Sequence, residues 1–193
     1  MCIRDSTNSE ALTDLLEYIR NDHYKLNVLV NAAGITNPDT EENDLAKFKK
    51  TLEVNLVAIF DVCSIAIPYL KDSDNGSIIN ITSIGSKMGF PGNPSYVASK
   101  GGLMTLTKAF ANDLGLDNIR VNNIAPGYIK TDMTKLSFEN ADMNDSRRER
   151  TILNRWGDVN DIVGAAIYLA SDASSYMTGS DIIIDGGWTA KGL

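Results

Sequence analysis

Histidine occurs once, at His23, and cysteine twice, at Cys2 and Cys63, in this chain of 193 residues. So small a supply offers no His and Cys cluster, and no metal site is expected. It offers no disulfide framework either. Cys63 sits in an apolar helical run where a reduced thiol packs well, so a reducing cytoplasm is the expected location. His23 reads as a surface residue. Positive charge is in deficit: 18 Lys and Arg stand against 25 Asp and Glu, a net charge of -7. A surface of that sign repels phosphate backbones and anionic lipid, which argues against nucleic acid and membrane as partners. Long hydrophobic runs are lacking too. Residues 54–70, the most apolar stretch, are interrupted by Asn55, Asp61, Ser64 and Pro68, and read as a buried helix too short and too polar to span a bilayer. No basic segment followed by an apolar one opens the chain. Residues 1–6 carry no pattern joining them to the rest of the chain and read as a non-native leader.

Hydrophobic residues at 43% and charged residues at 22% match globular averages, so a buried core is expected. With no internal repeat, low-complexity tract or linker, residues 1–193 read as one domain. Its hydrophobic period alternates between helix and strand. Leu12, Leu15, Leu16 and Ile19 repeat at helical spacing over residues 9–21, and residues 27–31 form a short apolar run ending at Ala32-Ala33-Gly34. Residues 44–70 predict one long helix, and residues 76–82 a buried strand closing in Ser83. Asn93 is placed to cap a helix with Pro94 in its first turn, and Gly115 to end it. Residues 120–125 predict a strand broken by Pro126-Gly127. Residues 158–170 predict a helix, and residues 181–185 a last strand before Gly186-Gly187. Strands alternating with helices imply an α/β fold, a parallel sheet with helices on both faces. The polar segment 131–155 lies just beyond a strand's carboxyl end, where ligands of open α/β sheets bind, and is expected to be a substrate lid.

The chemistry centres on Tyr96 and Lys100, four apart and therefore on one helix face. A nearby cation favours phenolate and is expected to draw the Tyr96 pKa down toward neutrality, where a general acid/base works best. Ser83, at the end of its strand, projects a hydroxyl over the sheet's carboxyl edge, or else caps the next segment. Asn55, among Leu52, Val54, Leu56 and Val57, is an amide that needs a partner when buried, either a water or a backbone carbonyl.

Together these residues resemble the short-chain dehydrogenase/reductase family of the single-domain type, over most of the chain. Asn31-Ala32-Ala33-Gly34 is similar to the family's Asn-Asn-Ala-Gly element, with Ala32 departing from it. Asn55, Ser83, Tyr96 and Lys100 resemble the catalytic set. Pro126-Gly127-Tyr128-Ile129-Lys130-Thr131 resembles the Pro-Gly cofactor segment, and Asp185-Gly186-Gly187 the end of the last strand. The resemblance implies a Rossmann-type sheet and hydride transfer between NAD or NADP and an alcohol or ketone. By it, Tyr96 exchanges a proton with the substrate oxygen, Lys100 lowers its pKa and binds the nicotinamide ribose, and Ser83 polarises the same oxygen. Asn55 holds a water in a proton relay. Asn31, Ala32, Ala33 and Gly34 line the cofactor, Ile129 and Thr131 meet the carboxamide, and Pro126 with Gly127 lets the chain pass close to the ring. A homotetramer is also implied.

One family element is missing from this sequence. Nothing before Ala32-Ala33-Gly34 matches the glycine-rich turn Gly-x-x-x-Gly-x-Gly that cradles the pyrophosphate, nor is there a residue that selects NAD from NADP. The chain is therefore expected to be a family member without its N-terminal strands, weak in cofactor binding. Competing expectations are an extended-type epimerase or dehydratase, which also uses a Tyr-x-x-x-Lys helix, and a catalytically silent binding or scaffold fragment. For substrate, a sugar acid or polyol and a 3-oxoacyl thioester stand level, because the lid carries Met133, Leu136, Phe138 and Met143 beside Arg147, Arg148 and Arg150. Gly186, Gly187 and Trp188 are expected to serve packing or an interface.

Overall fold

Ile78 and Ile79, adjacent in the chain, are both fully buried but in different cores, one on each face of a parallel sheet. Successive strand side chains point to opposite faces, so a strand that is apolar at every position must be covered on both. The computed structural model describes residues 7–22, 24–36 and 44–192; the expected leader at residues 1–6, with Cys2, and His23 lie outside them. Among the described residues four strands, β1 (Val28–Asn31), β2 (Gly76–Ile81), β3 (Ile119–Pro126) and β4 (Asp181–Ile184), pair in that order, all parallel. On one face α1 (Ser9–Asn21), α3 (Ala58–Lys71) and α4 (Pro94–Leu114) bury Leu12, Leu16, Ile59, Cys63, Leu70 and Leu103 against Ile78 and Val121. On the other, α7 (Asn160–Ala170) sets Leu169 against Ile79 and Ile124. This is the Rossmann-type α/β architecture that the alternating periods predict. β1 has one paired neighbour among the described residues, and Val30 on it is 48% exposed.

A row of polar residues crosses the first core and has no counterpart in the sequence-based expectations. Asn31, Asn80, Asn123 and Asp181 stand directly opposite one another on the four strands. Asn31 Nδ2 donates to Asn80 Oδ1 at 2.8 Å, and Asn80 Nδ2 to Thr107 Oγ1 of α4 at 2.8 Å. Thr107 Oγ1 donates to Asn123 Oδ1 at 2.7 Å, and Asn123 Nδ2 to Asp181 Oδ1 at 2.8 Å. Lys87 closes the row with an ion pair to Asp181 at 3.1 Å. Buried amides are tolerated when each finds a partner, and such a row accepts only one register of the four strands.

Several expected details are corrected. Residues 44–70 do not form an uninterrupted α-helix. α2 (Leu45–Leu52) passes into a π-helical turn at Glu53–Val57 before α3 begins, and Asn55 lies in that turn. Through the turn, Leu45–Lys71 runs 27 residues with an 18-residue window of mean hydropathy 1.6, so by length and composition it is long and apolar enough to cross a membrane. That overturns the expectation of a stretch too short and polar. Its buried side chains pack in the core instead. Asn93 stands at the N-cap of α4 but its side chain makes no capping bond; Nδ2 donates to Thr36 Oγ1 at 2.7 Å. Gly115 is the C-cap of α4, as expected; the chain continues into a 3-10 turn, and Asn118, at φ 57°, makes the left-handed reversal. The 131–155 segment is largely helical: a 3-10 turn at Asp132–Thr134, then α5 (Lys135–Glu139) and α6 (Ala141–Arg150).

Candidate active site

The carboxyl ends of the strands bring most of the expected residues together. β2 ends at Ile81, and the extended backbone of buried Ser83 (φ -171°, ψ 159°) turns its hydroxyl toward α4. Both readings of Ser83 apply at once. Its Oγ accepts from the Gly85 N–H at 3.0 Å, capping a short 3-10 turn, and its side chain lines the same cavity as Tyr96, close enough to favour the phenolate. Tyr96 is in the first turn of α4, its ring stacked on Phe90 at 6.4 Å.

The electrostatics reverse one expectation. Burial raises the Tyr96 phenol above its usual value of 10, the Ser83 hydroxyl opposes this, and Tyr128 reinforces it. Lys100 is not among the causes. Its ammonium is buried, donates to the Ile81 carbonyl at 2.8 Å, and lies 5.9 Å from the centre of the Tyr96 ring. Burial lowers the Lys100 pKa to about 8. Charge attraction weakens with distance, and here desolvation of both groups is the larger effect.

The Asn55 side chain holds backbone. Its Nδ2 donates to the Ile35 carbonyl at 2.8 Å, its Oδ1 accepts the Ile35 N–H at 2.8 Å, and Nδ2 also donates to Ser99 Oγ at 3.1 Å. Ser99 in turn donates to the Tyr96 carbonyl at 2.8 Å. A π turn inserts one extra residue into a helix, and such turns recur at functional sites. Here it delivers a buried amide that ties the loop after β1 to the Tyr96 helix. Ser99 was not expected in the site; its place one turn beyond Tyr96 was the available signal. Both Asn55 donors are used, so the expected water relay has no donor left on this side chain.

The remaining cofactor-segment residues divide. Gly34 belongs to the site: a Cβ there would lie 3.3 Å from Asn55 Oδ1 and 3.4 Å from Lys100 Nζ. Ala33 is half-buried beside it and Ala32 exposed. Asn31 turns into the sheet, its amide given to Asn80 and to Cys63 Sγ at 3.3 Å. That leaves the Cys63 thiol buried, with its pKa pushed up to about 12. At Gly127, next to Pro126, a Cβ would meet Asp185 Cα at 2.8 Å, so close packing on the last strand's end also calls for glycine there. The Ile129 carbonyl accepts from Thr134 Oγ1 at 2.6 Å, and Thr131 is an exposed N-cap. Gly186 and Gly187 take left-handed turns at φ 63° and 84°, and Trp188 packs 4.7 Å from the Tyr128 ring.

Beside Ser83 and Tyr96 opens a cavity of about 360 Å³, roofed by Met133, Thr134, Ser137 and Arg147 of the 131–155 segment and walled by Phe90 and Tyr128. No cluster of three or more His, Cys, Asp or Glu that could hold a metal occurs among the described residues. The donors present fit a nicotinamide nucleoside. Lys100 Nζ has a single acceptor among the described residues, which leaves further N–H groups for ribose hydroxyls, and the bare backbone at Gly34 lets a sugar approach it.

Residues 2–189 match the family model described as enoyl-(acyl carrier protein) reductase, a model of short-chain dehydrogenases. The chain is 37% identical to the 3-oxoacyl-[acyl-carrier-protein] reductase of Thermotoga maritima, over 94% of this chain and 73% of that protein. It is 34% identical to the gluconate 5-dehydrogenase of Gluconobacter oxydans, over 97% and 73%. A solved gluconate 5-dehydrogenase from Burkholderia cenocepacia, in complex with NADP and tartrate, superimposes with a TM-score of 0.92 at 30% identity, over 97% of this chain and 74% of that one. A 4-hydroxyisoleucine dehydrogenase complexed with NADH does so with a TM-score of 0.88 at 38% identity, over 97% and 78%.

Proposed function

The chain belongs to the short-chain dehydrogenase/reductase family of NAD(P)-dependent alcohol and ketone oxidoreductases, and we propose that Tyr96 is the proton donor and acceptor of its reaction. The observation that carries this is the meeting of Ser83 and Tyr96 at the wall of one cavity, with the buried Lys100 ammonium behind them. NAD(P)H supplies the hydride when bound. In the reducing direction Tyr96 gives its proton to the ketone oxygen while the carbon takes the hydride, and the product is the alcohol. Ser83 donates a hydrogen bond to the same oxygen and polarises the carbonyl. The phenolate left behind is stabilised by the Lys100 ammonium, which also bonds the ribose hydroxyls. Asn55 acts by position, through the Ile35 backbone and Ser99.

Segment 131–155 serves as the substrate lid, and the substrate is a sugar acid or polyol, or a 3-oxoacyl thioester, in the cytoplasm. Val57 and Phe60 of the π turn and α3, with Leu106 of α4, form an apolar groove that supports a homotetramer. The deciding experiment monitors NADH and NADPH oxidation with a panel of ketones, wild type against Tyr96→Phe. Loss of a positioned acid/base slows turnover by about 10²-fold or more; equal rates would remove Tyr96 from the chemistry.

A further inference from the structure

We infer that Arg147 is an anion anchor and that the substrate carries a carboxylate, so that the cavity takes a hydroxylated oxo acid; this rests on the oxidoreductase reading of the same site. Among the described residues Arg147 is the single charged side chain lining the cavity, in a chain whose net charge is -7. Two of its neighbours in the lid are paired, Arg148 with Asp145 at 3.1 Å and Arg155 with Asp161 at 2.7 Å, and Arg150 lies over the Trp188 ring at 5.0 Å, away from the cavity lining. Arg147 has no ion pair among the described residues. One terminal nitrogen donates to the Met143 carbonyl at 3.3 Å, and its Nε is buried without an acceptor. A guanidinium is always charged, and a buried N–H left without an acceptor costs on the order of 1–3 kcal/mol. Such a group is retained where a ligand completes it.

The geometry favours a carboxylate. The guanidinium lies over the Tyr128 ring at 4.8 Å, and Tyr128 is wedged between Trp156 at 5.4 Å and Trp188 at 4.7 Å. A guanidinium held over a ring keeps paired N–H donors to offer, a fork that matches two carboxylate oxygens. A second orphan lies in the same cavity. Asn93 is 8% exposed, and its Oδ1 has no donor among the described residues, although Nδ2 is held by Thr36. An acceptor of that kind suits a substrate hydroxyl. An anion at Arg147, a carbonyl at Tyr96 and a hydroxyl at Asn93 describe an oxo acid with hydroxyl groups, and a neutral thioester leaves the arginine unsatisfied.

The test uses D-gluconate and D-sorbitol as probes, which differ in a carboxylate against a hydroxymethyl group. Binding is measured by the fluorescence of Trp156 and Trp188, with and without NADP, in wild type, Arg147→Gln, Arg147→Lys and the surface control Arg148→Gln. Wild type should prefer gluconate by about tenfold or more, as a charge-assisted pair warrants. Arg147→Gln should lose the preference, Arg147→Lys keep part of it, and Arg148→Gln keep all of it. Should Arg147→Gln not fold, the wild-type preference and the lysine variant decide. No gluconate binding to wild type, equal binding of the two probes, or a preference surviving in Arg147→Gln would overturn the inference. Tyr96→Phe separates the two readings, since it should keep the preference for gluconate over sorbitol while losing turnover. A Tyr96→Phe protein with full turnover would remove the catalytic reading and leave the anion result standing.

Discussion

The Lys100 ammonium stands 5.9 Å from the centre of the Tyr96 ring and gives its hydrogen bond to the Ile81 carbonyl oxygen. The two groups share a helix face, as their spacing requires, yet each is governed more by burial than by the other. Burial opposes charge on both, raising the acid and lowering the base.

In the ligand-free protein Tyr96 should therefore remain a phenol through neutral pH. Phenolate absorbs in the near ultraviolet, so the difference spectrum of wild type minus Tyr96→Phe should show an ionisation whose midpoint lies above that of a free tyrosine. An ionisation near pH 7 would mean that Lys100 controls Tyr96 in solution. The same sign requires kcat/KM for alcohol oxidation, which needs the phenolate, to rise from pH 6 to pH 8, while ketone reduction stays flat until Lys100 begins to lose its proton as pH approaches 8.

Lys100 makes stability depend on pH in a definite direction. Its pKa is about 8 folded, against 10.5 for an unperturbed lysine. Between these values the unfolded chain holds the proton and the folded one does not, so stability rises with pH across that window and is level below it. The slope is at most about 1.4 kcal/mol per pH unit. Urea denaturation of wild type and Lys100→Met at pH 7, 9 and 10 should show wild type gaining on the variant as pH rises. Tyr96 and Cys63, whose pKa values are raised, act in the opposite direction in both proteins and cancel in the difference. Parallel curves would refute the assignment.

The polar row predicts a cost for any break in it. Asn80→Leu strands the Asn31 amide and removes the donor to Thr107. Each orphaned buried group costs on the order of 1–3 kcal/mol, so the urea midpoint should fall with the slope unchanged. Asn80→Leu with a wild-type midpoint would show that the row contributes no net stability.

The apolar groove at Val57, Phe60 and Leu106 leaves Phe60 50% exposed. If it is the assembly face, Phe60→Asp should lower the mass seen by light scattering toward the monomer, while a monomeric wild type in the micromolar range would refute the homotetramer.

Alternation of the hydrophobic period was enough to place the strands and major helices to within two residues, because buried strands are apolar throughout and helices only on one side. The Tyr96 and Lys100 pair was legible for the same kind of reason, since residues four apart on a helix must share a face. What stayed hidden depends on contacts between segments far apart in sequence. The π turn at Glu53–Val57 leaves the apolar pattern intact, and its purpose, the grip of Asn55 on Ile35, involves a partner 20 residues away. Asn31, Asn80, Asn123 and Asp181 read as unrelated polar residues until parallel pairing sets them side by side. Arg147, Arg148 and Arg150 are alike in composition; Arg148 finds Asp145 three residues back on α6, but only packing gives Arg147 a cavity beside Tyr128 and Arg150 the face of Trp188. The sign of the Tyr96 shift belongs with these. Sequence spacing sets that two groups share a face, but burial and the direction of the ammonium, which only the packed structure decides, set their charges.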